Sequence, residues 1–195
     1  MKRLIIISIV LLSSFTFKVN AQDNSYPEKF GKTLNIGAGI GYYGYVGRSL
    51  PVGSLNFEFD VVRNFTLAPF VGMYSYQSNY FWGDPRYPND SYRYYTYRET
   101  VVPLGVKGTY YFDELLNAGP RWDFYLAGSI GFVYRHVVWE NGYYGDKSVY
   151  RTSSSLFLDA HIGAEYHLNR KAGLFLDLST GVSTFGVAIH FNNSY

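Results

Sequence analysis

The chain has 195 residues, of which 47% are hydrophobic, 20% aromatic and only 16% charged, and it contains no cysteine. This composition excludes a disordered chain, a disulfide scaffold, a thiolate zinc site and a cysteine nucleophile. The formal net charge of +2 includes three basic residues before position 22, and the remaining 14 basic and 15 acidic residues give no basic field for nucleic acid.

The first residues have the pattern of a secretory signal peptide. Lys2 and Arg3 form a positive start, residues 4–17 are an apolar run broken only by Ser and Thr, and residues 19–21 offer small side chains to a signal peptidase. About 14 apolar residues are too few for a transmembrane helix, which needs about 20. The alternative, a buried first strand or helix, leaves the flanking residues unexplained.

From residue 33 onward, apolar residues recur at every second position, which is the period of strands whose two faces differ. In the sixth such segment, for example, Leu158 and Ile162 share one face and Asp159 lies on the other. The pattern predicts eight strands, at 34–42, 54–61, 66–74, 102–112, 123–135, 156–168, 174–182 and 187–191.

The alternation alone does not decide which face is inside, because a soluble barrel buries its apolar face and a membrane barrel shows it to lipid. The second face here contains Gly, Ala, Ser, charged and some aromatic residues, unlike the Lys- and Glu-rich face of a sheet in water. This composition favours a membrane barrel over a soluble barrel or sandwich.

The connections between the strands also alternate in length, as in membrane barrels. The short or moderate connections are 63–64, 113–120 and 169–171. The longer connections, expected on the opposite side, are 43–50, 77–98 and 137–151, and a tight turn is expected at 183–185.

Aromatic residues near the strand ends are a third indication, because a ring with a polar tip suits the headgroup level of a bilayer. They are Tyr42, Tyr110, Phe112, Trp122, Tyr134 and Tyr166. In hydrocarbon every backbone polar group must pair, so the strands must close. We predict an all-β, eight-stranded antiparallel up-and-down transmembrane barrel with a filled lumen, and a bulge at Pro69, which lacks a ladder donor.

At this point the chain resembles the small eight-stranded outer-membrane barrels of Gram-negative bacteria, the group of the OmpA-type transmembrane domain and the OmpX-like barrels. Such chains usually end in an aromatic residue with apolar residues at alternate positions before it. Val187, Ile189 and Phe191 hold this parity, Asn193 interrupts it, and Tyr195 holds it again. The resemblance implies that Phe191 or Tyr195 ends the last strand.

The resemblance also implies a location in the outer membrane of a Gram-negative bacterium. The expected organisation is a signal peptide at 1–21, a short periplasmic segment at 22–32 and the barrel domain at 33–195. The expected partners are outer-membrane lipid and lipopolysaccharide, the barrel assembly machinery during biogenesis, and a surface ligand or protein whose identity the sequence does not give. Nucleic acid is not expected.

The strand register places ten charged or histidine side chains on the enclosed face, with His190 nearby. Because unpaired charges are costly in a filled lumen, we expect a polar network that plugs the barrel. Its members are Glu58, Asp60, Lys107, Asp123, Arg135, Asp159, His161, Glu165, His167 and Asp177.

The alternative to this network is a catalytic or metal cluster of Asp159, His161, Glu165 and His167, which share one face of a strand. At about 3.3 Å per residue they spread over roughly 25 Å, too far for one centre without help from other strands. No local motif joins a serine to a histidine. We therefore predict no catalytic residues, no cofactor and no metal.

The longer connections are rich in tyrosine: 15 of the 21 tyrosines lie at 42–45, 74–97 or 134–150. Tyrosine supplies a large amphipathic contact area, as in recognition surfaces. The candidate recognition residues are Tyr80, Phe81, Trp82, Arg86, Tyr87, Tyr94, Tyr95, Trp139, Tyr143 and Tyr144. The alternative is that the rings pack the loops into a cap and extend two strands above the membrane.

Charge in these loops is balanced, which argues against steering a strongly charged partner. The charged residues are Arg86, Arg93 and Arg98 against Asp84, Asp90 and Glu99. We predict a non-enzymatic outer-membrane barrel for adhesion, surface interaction or envelope integrity. The alternatives are a lipid-modifying barrel enzyme of the lipid A deacylase or acyltransferase type, and a small pore.

Overall fold

The computed structural model describes residues 31–41, 50–83, 93–113, 115–147 and 155–191. The predicted signal peptide, most of the segment 22–32, Arg86, Tyr87 and Tyr195 lie outside these ranges. The described residues form eight strands: β1 (Lys32–Gly41), β2 (Leu50–Val62), β3 (Phe65–Trp82), β4 (Arg93–Tyr111), β5 (Trp122–Trp139), β6 (Ser155–Asn169), β7 (Ala172–Ser179) and β8 (Val182–Phe191).

Each strand pairs antiparallel with its neighbours in the sequence, and β1 also pairs with β8, which closes the barrel. The fold class predicted from the sequence is therefore confirmed. Among the described residues, no helix is long and apolar enough to cross a membrane. Among the described residues, β8 ends at Phe191. Tyr195 lies outside them, so which of Phe191 and Tyr195 ends the last strand stays a prediction.

The apolar face of every strand points out of the barrel. Leu158 is 58% exposed, whereas the next residue, Asp159, is 7% exposed inside. Successive side chains of a strand point to opposite faces, so the period of two in the sequence becomes an inside and an outside. Inside, rings lie against glycines: a Cβ added at Gly37 would meet Phe175 Cζ at 2.9 Å.

Five strands, β2 to β5 and β8, are longer than the sequence pattern predicted by at least five residues. β3, β4 and β5 have 18, 19 and 18 residues, and each spans roughly 60 Å. Residues 77–82, 93–98 and 137–139, predicted as loop, are strand and keep the ladder between β3, β4 and β5. The prediction failed there because Tyr and Thr in paired hairpins form strands without an apolar face.

The turn between β7 and β8 lies at Thr180–Gly181, so the predicted turn at 183–185 is wrong. Asp159 of β6 accepts hydrogen bonds from Thr180 Oγ1 at 2.6 Å and from Gly181 N at 3.0 Å. A residue from another strand therefore positions this turn, and local pattern does not reveal it.

The predicted bulge at Pro69 is also wrong. The register between β2 and β3 is the same on both sides of Pro69, from Asn56 opposite Phe70 to Phe59 opposite Leu67, and the shift lies between Asp60 and Val62. Pro69 keeps its place opposite Val106 of β4. β3 therefore tolerates Pro69, which has no backbone N–H to donate, without an inserted residue.

Candidate functional site

The centre of the lumen holds an ion pair between β4 and β7. Lys107 Nζ donates to Asp177 Oδ2, and both side chains are nearly fully buried. Asp177 also accepts from Tyr125 OH at 3.1 Å, and its Oδ1 lies 2.7 Å from His161 Nδ1. A buried charge is tolerated when it is paired and its remaining positions are hydrogen-bonded, which is the case for this carboxylate.

Ser129 extends this cluster, because its Oγ lies 2.9 Å from His161 Nε2. The connectivity Ser129–His161–Asp177 is that of a hydrolase triad. Local sequence motifs could not predict it, since the three residues lie on β5, β6 and β7. However, Asp177 is shared with Lys107 and Tyr125, so its charge is already paired.

In the part of the barrel that the structure describes, side chains fill most of the lumen beside the triad. A polar cavity lies on the side of the triad toward the β6–β7 turn. Its volume of about 10 Å³ is near the minimum for one water molecule, and neither Ser129 nor His161 lines it. Above the triad, Tyr74, Val101, Val133 and Phe157 belong to a buried apolar layer. The hydrogen bonds among Ser129, His161 and Asp177 therefore connect β5, β6 and β7.

Glu58 is a second centre of hydrogen bonding. It accepts from Thr66 Oγ1, from Asn35 Nδ2 at 3.1 Å and from Tyr111 OH at 3.0 Å. The predicted network omitted these three partners because it was drawn from charged residues and histidines. Their inward parity in β1, β3 and β4 was the signal that could have identified them.

Glu99 is buried in the lumen, which corrects its assignment to the loop charges. It accepts from Tyr76 OH and from Arg135 Nη1, the latter at 3.1 Å. The assignment failed because β4 continues through Glu99, and the inward parity of the strand continues with it. The pair Arg135–Glu99 lies between the apolar layer and the long-loop end of the barrel.

The opposite end of the lumen, which carries the β6–β7 turn, holds a cluster of carboxylates and imidazoles. His190 Nε2 lies 2.7 Å from Glu165 Oε1, and His167 Nδ1 lies 3.7 Å from the same oxygen. His167 Nε2 lies 2.6 Å from Asp123 Oδ2. Asp159, which shares a strand face with Glu165 and His167 in the sequence pattern, lies apart from them and accepts a hydrogen bond from the β7–β8 turn at the other end.

All ten predicted lumen residues point into the barrel, in separate groups rather than one chain of contacts. Six are buried, namely Glu58, Lys107, Asp123, Asp159, Glu165 and Asp177. Four are half-buried, namely Asp60, Arg135, His161 and His167. Asp60 Oδ2 accepts from Gly31 N at 3.0 Å, where the chain enters β1.

Aromatic rings pack together at the long-loop end of β3, β4 and β5. We call Tyr80, Trp82, Tyr95, Tyr97, Trp139 and Tyr143 the aromatic cap. Trp139 and Tyr143 stack with ring centroids 4.1 Å apart, and Tyr95 packs on Tyr143 at 5.1 Å. Tyr80 and Tyr97 contact Trp139, and Trp82 contacts Tyr95. Five of these rings continue the inward parity of β3, β4 and β5 beyond the Arg135–Glu99 pair, and Tyr143 follows the end of β5.

The candidate recognition residues thus fall into two groups. Tyr80, Trp82, Tyr95, Trp139 and Tyr143 pack against one another in the cap, and Tyr95 and Tyr143 are fully buried there. Phe81, Tyr94 and Tyr144 are exposed, and the rings of Phe81 and Tyr94 form a pair at 5.0 Å on the outer face of the β3–β4 hairpin.

No protein-family model matches the sequence, and no curated protein matches it. Among solved structures, the barrel is similar to neisserial surface protein A, with a TM-score of 0.52 and 13% identity over 82% of this chain and 96% of that chain. Ail of Yersinia pestis, solved with the heparin analogue sucrose octasulfate, gives a TM-score of 0.48 and 7% identity over 82% and 96% of the two chains.

A third similar structure is the outer membrane protein W of E. coli, with a TM-score of 0.46 and 12% identity over 85% of this chain and 100% of that chain. At these identities the similarity is one of fold. The closed eight-stranded barrel of this chain is the fold of neisserial surface protein A, as the resemblance in the sequence implied.

Proposed function

We propose that this chain is a non-enzymatic outer-membrane barrel of a Gram-negative bacterium whose function lies at its surface. The observation that carries the proposal is the continuous apolar outer face. Soluble proteins rarely expose such large apolar areas, whereas a membrane barrel needs them in hydrocarbon. The exposed apolar residues of this face include Ile36, Leu55, Phe57, Val71, Leu104, Val106, Leu126, Ile130, Leu156, Leu158, Ile162, Leu176, Leu178, Phe185, Val187 and Ile189.

The height of this apolar face supports a position across a bilayer. Trp122 and Tyr134 are exposed on the outer face of β5 and lie 12 residues apart, about 40 Å along the strand. A tilt of about 45° reduces this to nearly 30 Å, the thickness of a hydrocarbon core. Trp122 packs on Phe124 and Tyr166, which gives an aromatic girdle at the end that carries the β6–β7 turn.

The filled lumen supports a surface role over a pore. Ion pairs, the apolar layer and the aromatic cap succeed one another along the described barrel. The polar cavity between the Lys107–Asp177 pair and the β6–β7 end has room for about one water molecule. Outer-membrane lipid and lipopolysaccharide are the proposed partners of the outer face, and the barrel assembly machinery is the proposed partner during biogenesis.

The exposed rings support a recognition role for the β3–β4 hairpin. Phe81 is 53% exposed and Tyr94 is 68% exposed on the outer face of β3 and β4, above the apolar belt. Flat rings with polar edges stack on sugars, so we propose that the hairpin contacts glycan-bearing surfaces.

Location and orientation can be tested by labelling single cysteines, because the chain has none of its own. Tyr144 is 72% exposed beyond β5, and Leu115 is 77% exposed at the opposite end of the barrel. We expect a membrane-impermeant maleimide to label Tyr144→Cys on intact cells and Leu115→Cys only after permeabilisation. Equal labelling of both variants on intact cells would contradict the proposal.

The recognition role predicts that Phe81→Ser combined with Tyr94→Ser weakens binding of the displayed barrel to immobilised glycans by about tenfold or more, because aromatic anchors dominate such contacts. Binding is measured on a glycan array with cells that display equal amounts of barrel. The matched control is Leu115→Ser with Leu116→Ser, two exposed apolar residues at the opposite end. Unchanged binding of the Phe81/Tyr94 variant would argue against this surface.

A further inference from the structure

We propose that Glu165, His167 and His190 bind a divalent transition-metal ion, with Zn²⁺ as the best-suited ion, inside the end of the barrel that carries the β6–β7 turn. Each residue offers one ligand atom, and the three atoms lie within 4.8 Å of one another. No metal site was predicted from the sequence, because the four residues from Asp159 to His167 spread too far along β6 without ligands from other strands. Closure of the barrel brings His190 of β8 to Glu165 of β6.

The spacing of the three atoms suits zinc after small movements. Tetrahedral zinc with bonds of about 2.0–2.1 Å to imidazole nitrogen and carboxylate oxygen keeps its ligand atoms about 3.3 Å apart. His190 Nε2 and His167 Nδ1 lie 2.7 and 3.7 Å from Glu165 Oε1, which are values on either side of this spacing. Shifts of about 1 Å per side chain therefore complete the site.

Both histidines are oriented by a partner on their second nitrogen. His190 Nδ1 lies 2.9 Å from Thr33 Oγ1, and His167 Nε2 lies 2.6 Å from Asp123 Oδ2. Metal-binding histidines nearly always have such a partner, which fixes the tautomer and the direction of the ring. The other two nitrogens face Glu165 Oε1: His167 Nδ1 lies 3.7 Å away, and His190 Nε2 hydrogen-bonds to it at 2.7 Å. A bound ion would displace the hydrogen of that bond and leave the ring hydrogen of His190 on Nδ1, which then donates to Thr33 Oγ1.

The hydrogen bond to Asp123 determines which nitrogen of His167 faces the site. A carboxylate only accepts, so His167 Nε2 donates to Asp123, and Nδ1 is the nitrogen directed toward Glu165 Oε1, at 3.7 Å. Two imidazoles favour zinc, nickel or copper, whereas magnesium and calcium prefer oxygen ligands alone.

The site is accessible, because the side chain of His167 is 24% exposed, while those of Glu165 and His190 are each 7% exposed. Two coordinating residues lie on β6 and one on β8, and the partners Thr33 and Asp123 lie on β1 and β5. A bound ion would thus link β6 and β8 directly, and β1 and β5 through the hydrogen bonds of the two histidines.

The test is a titration of the refolded, tag-free full chain in detergent micelles. Zn²⁺ binding is measured by calorimetry, and Co²⁺ binding is measured by visible absorption. We expect one ion per chain, a tetrahedral Co²⁺ spectrum, and no saturable binding of Mg²⁺ or Ca²⁺. Absence of saturable one-to-one Zn²⁺ binding by the wild-type barrel would overturn the proposal.

Variants locate the site within the lumen. We expect His190→Gln and Glu165→Gln to weaken Zn²⁺ binding by more than tenfold, and Asp123→Asn to weaken it by about 10- to 100-fold while the Co²⁺ spectrum stays tetrahedral. The matched control is His161→Gln, which removes an interior histidine that bonds Asp177 instead. Circular dichroism verifies that each variant is folded. Equal affinity of His190→Gln and wild type, or equal loss in His161→Gln, would contradict the assignment.

Discussion

Replacing Asp177 with asparagine is expected to lower the free energy of unfolding by about 3–5 kcal/mol, because it leaves the ammonium group of Lys107 buried without its counter-charge. The side chain of Lys107 is 11% exposed and that of Asp177 is 6% exposed, so bulk water does not reach the pair, and the cavity that both residues line has room for about one water molecule. The same substitution weakens the bonds from Tyr125 and His161. Denaturant unfolding of the barrel in micelles measures the effect.

The double variant Lys107→Met with Asp177→Asn is the control for this prediction. Removing both charges eliminates the uncompensated ion, so the double variant is expected to recover at least half of the lost stability. A loss below about 1 kcal/mol in the single variant would show that the pair is hydrated.

The same cluster distinguishes a structural role from an enzymatic one. If Ser129, His161 and Asp177 only connect strands, Ser129→Ala alters stability and leaves the mass of lipid A unchanged in cells that express the barrel. A lipid A mass change that depends on the barrel and disappears in Ser129→Ala would instead support the lipid-modifying enzyme.

Replacing Ile130 with arginine is expected to destabilise the barrel in lipid bilayers by about 2–4 kcal/mol, the cost of a basic residue on the lipid face near the bilayer midplane. Ile130 is 57% exposed, and it pairs with Val106 of β4 and Leu158 of β6, which are exposed on the same outer face. It lies between the interface rings Trp122 and Tyr134, close to the middle of the proposed hydrocarbon span.

Tyr94→Arg is the matched control, because Tyr94 is 68% exposed on the same outer surface but lies on the β3–β4 hairpin beyond the proposed bilayer. We expect this substitution to change stability by no more than about 0.5 kcal/mol. Unfolding in bilayers of the two variants measures the difference. Equal costs for Ile130→Arg and Tyr94→Arg would mean that the apolar face is not in lipid.

The sequence by itself determined the eight strands and the face that each residue occupies. The pleat turns successive side chains to opposite sides, so the parity of Leu158 and Asp159 is local information. The length of β3 to β5 was underestimated for a related reason: the hairpin beyond the membrane has polar residues on both faces and lacks the apolar alternation. Glu99 was assigned to a loop for this reason.

Only the tertiary structure decided which inward side chains meet. Ser129 contacts His161 through the β5–β6 register, and Asp177 joins them through the β6–β7 register. His190 reaches Glu165 across β7, through the β6–β7 and β7–β8 pairings and the curvature of the closed barrel. These contacts depend on pairing between strands and on distances across the lumen, which the period of two along a single strand does not encode.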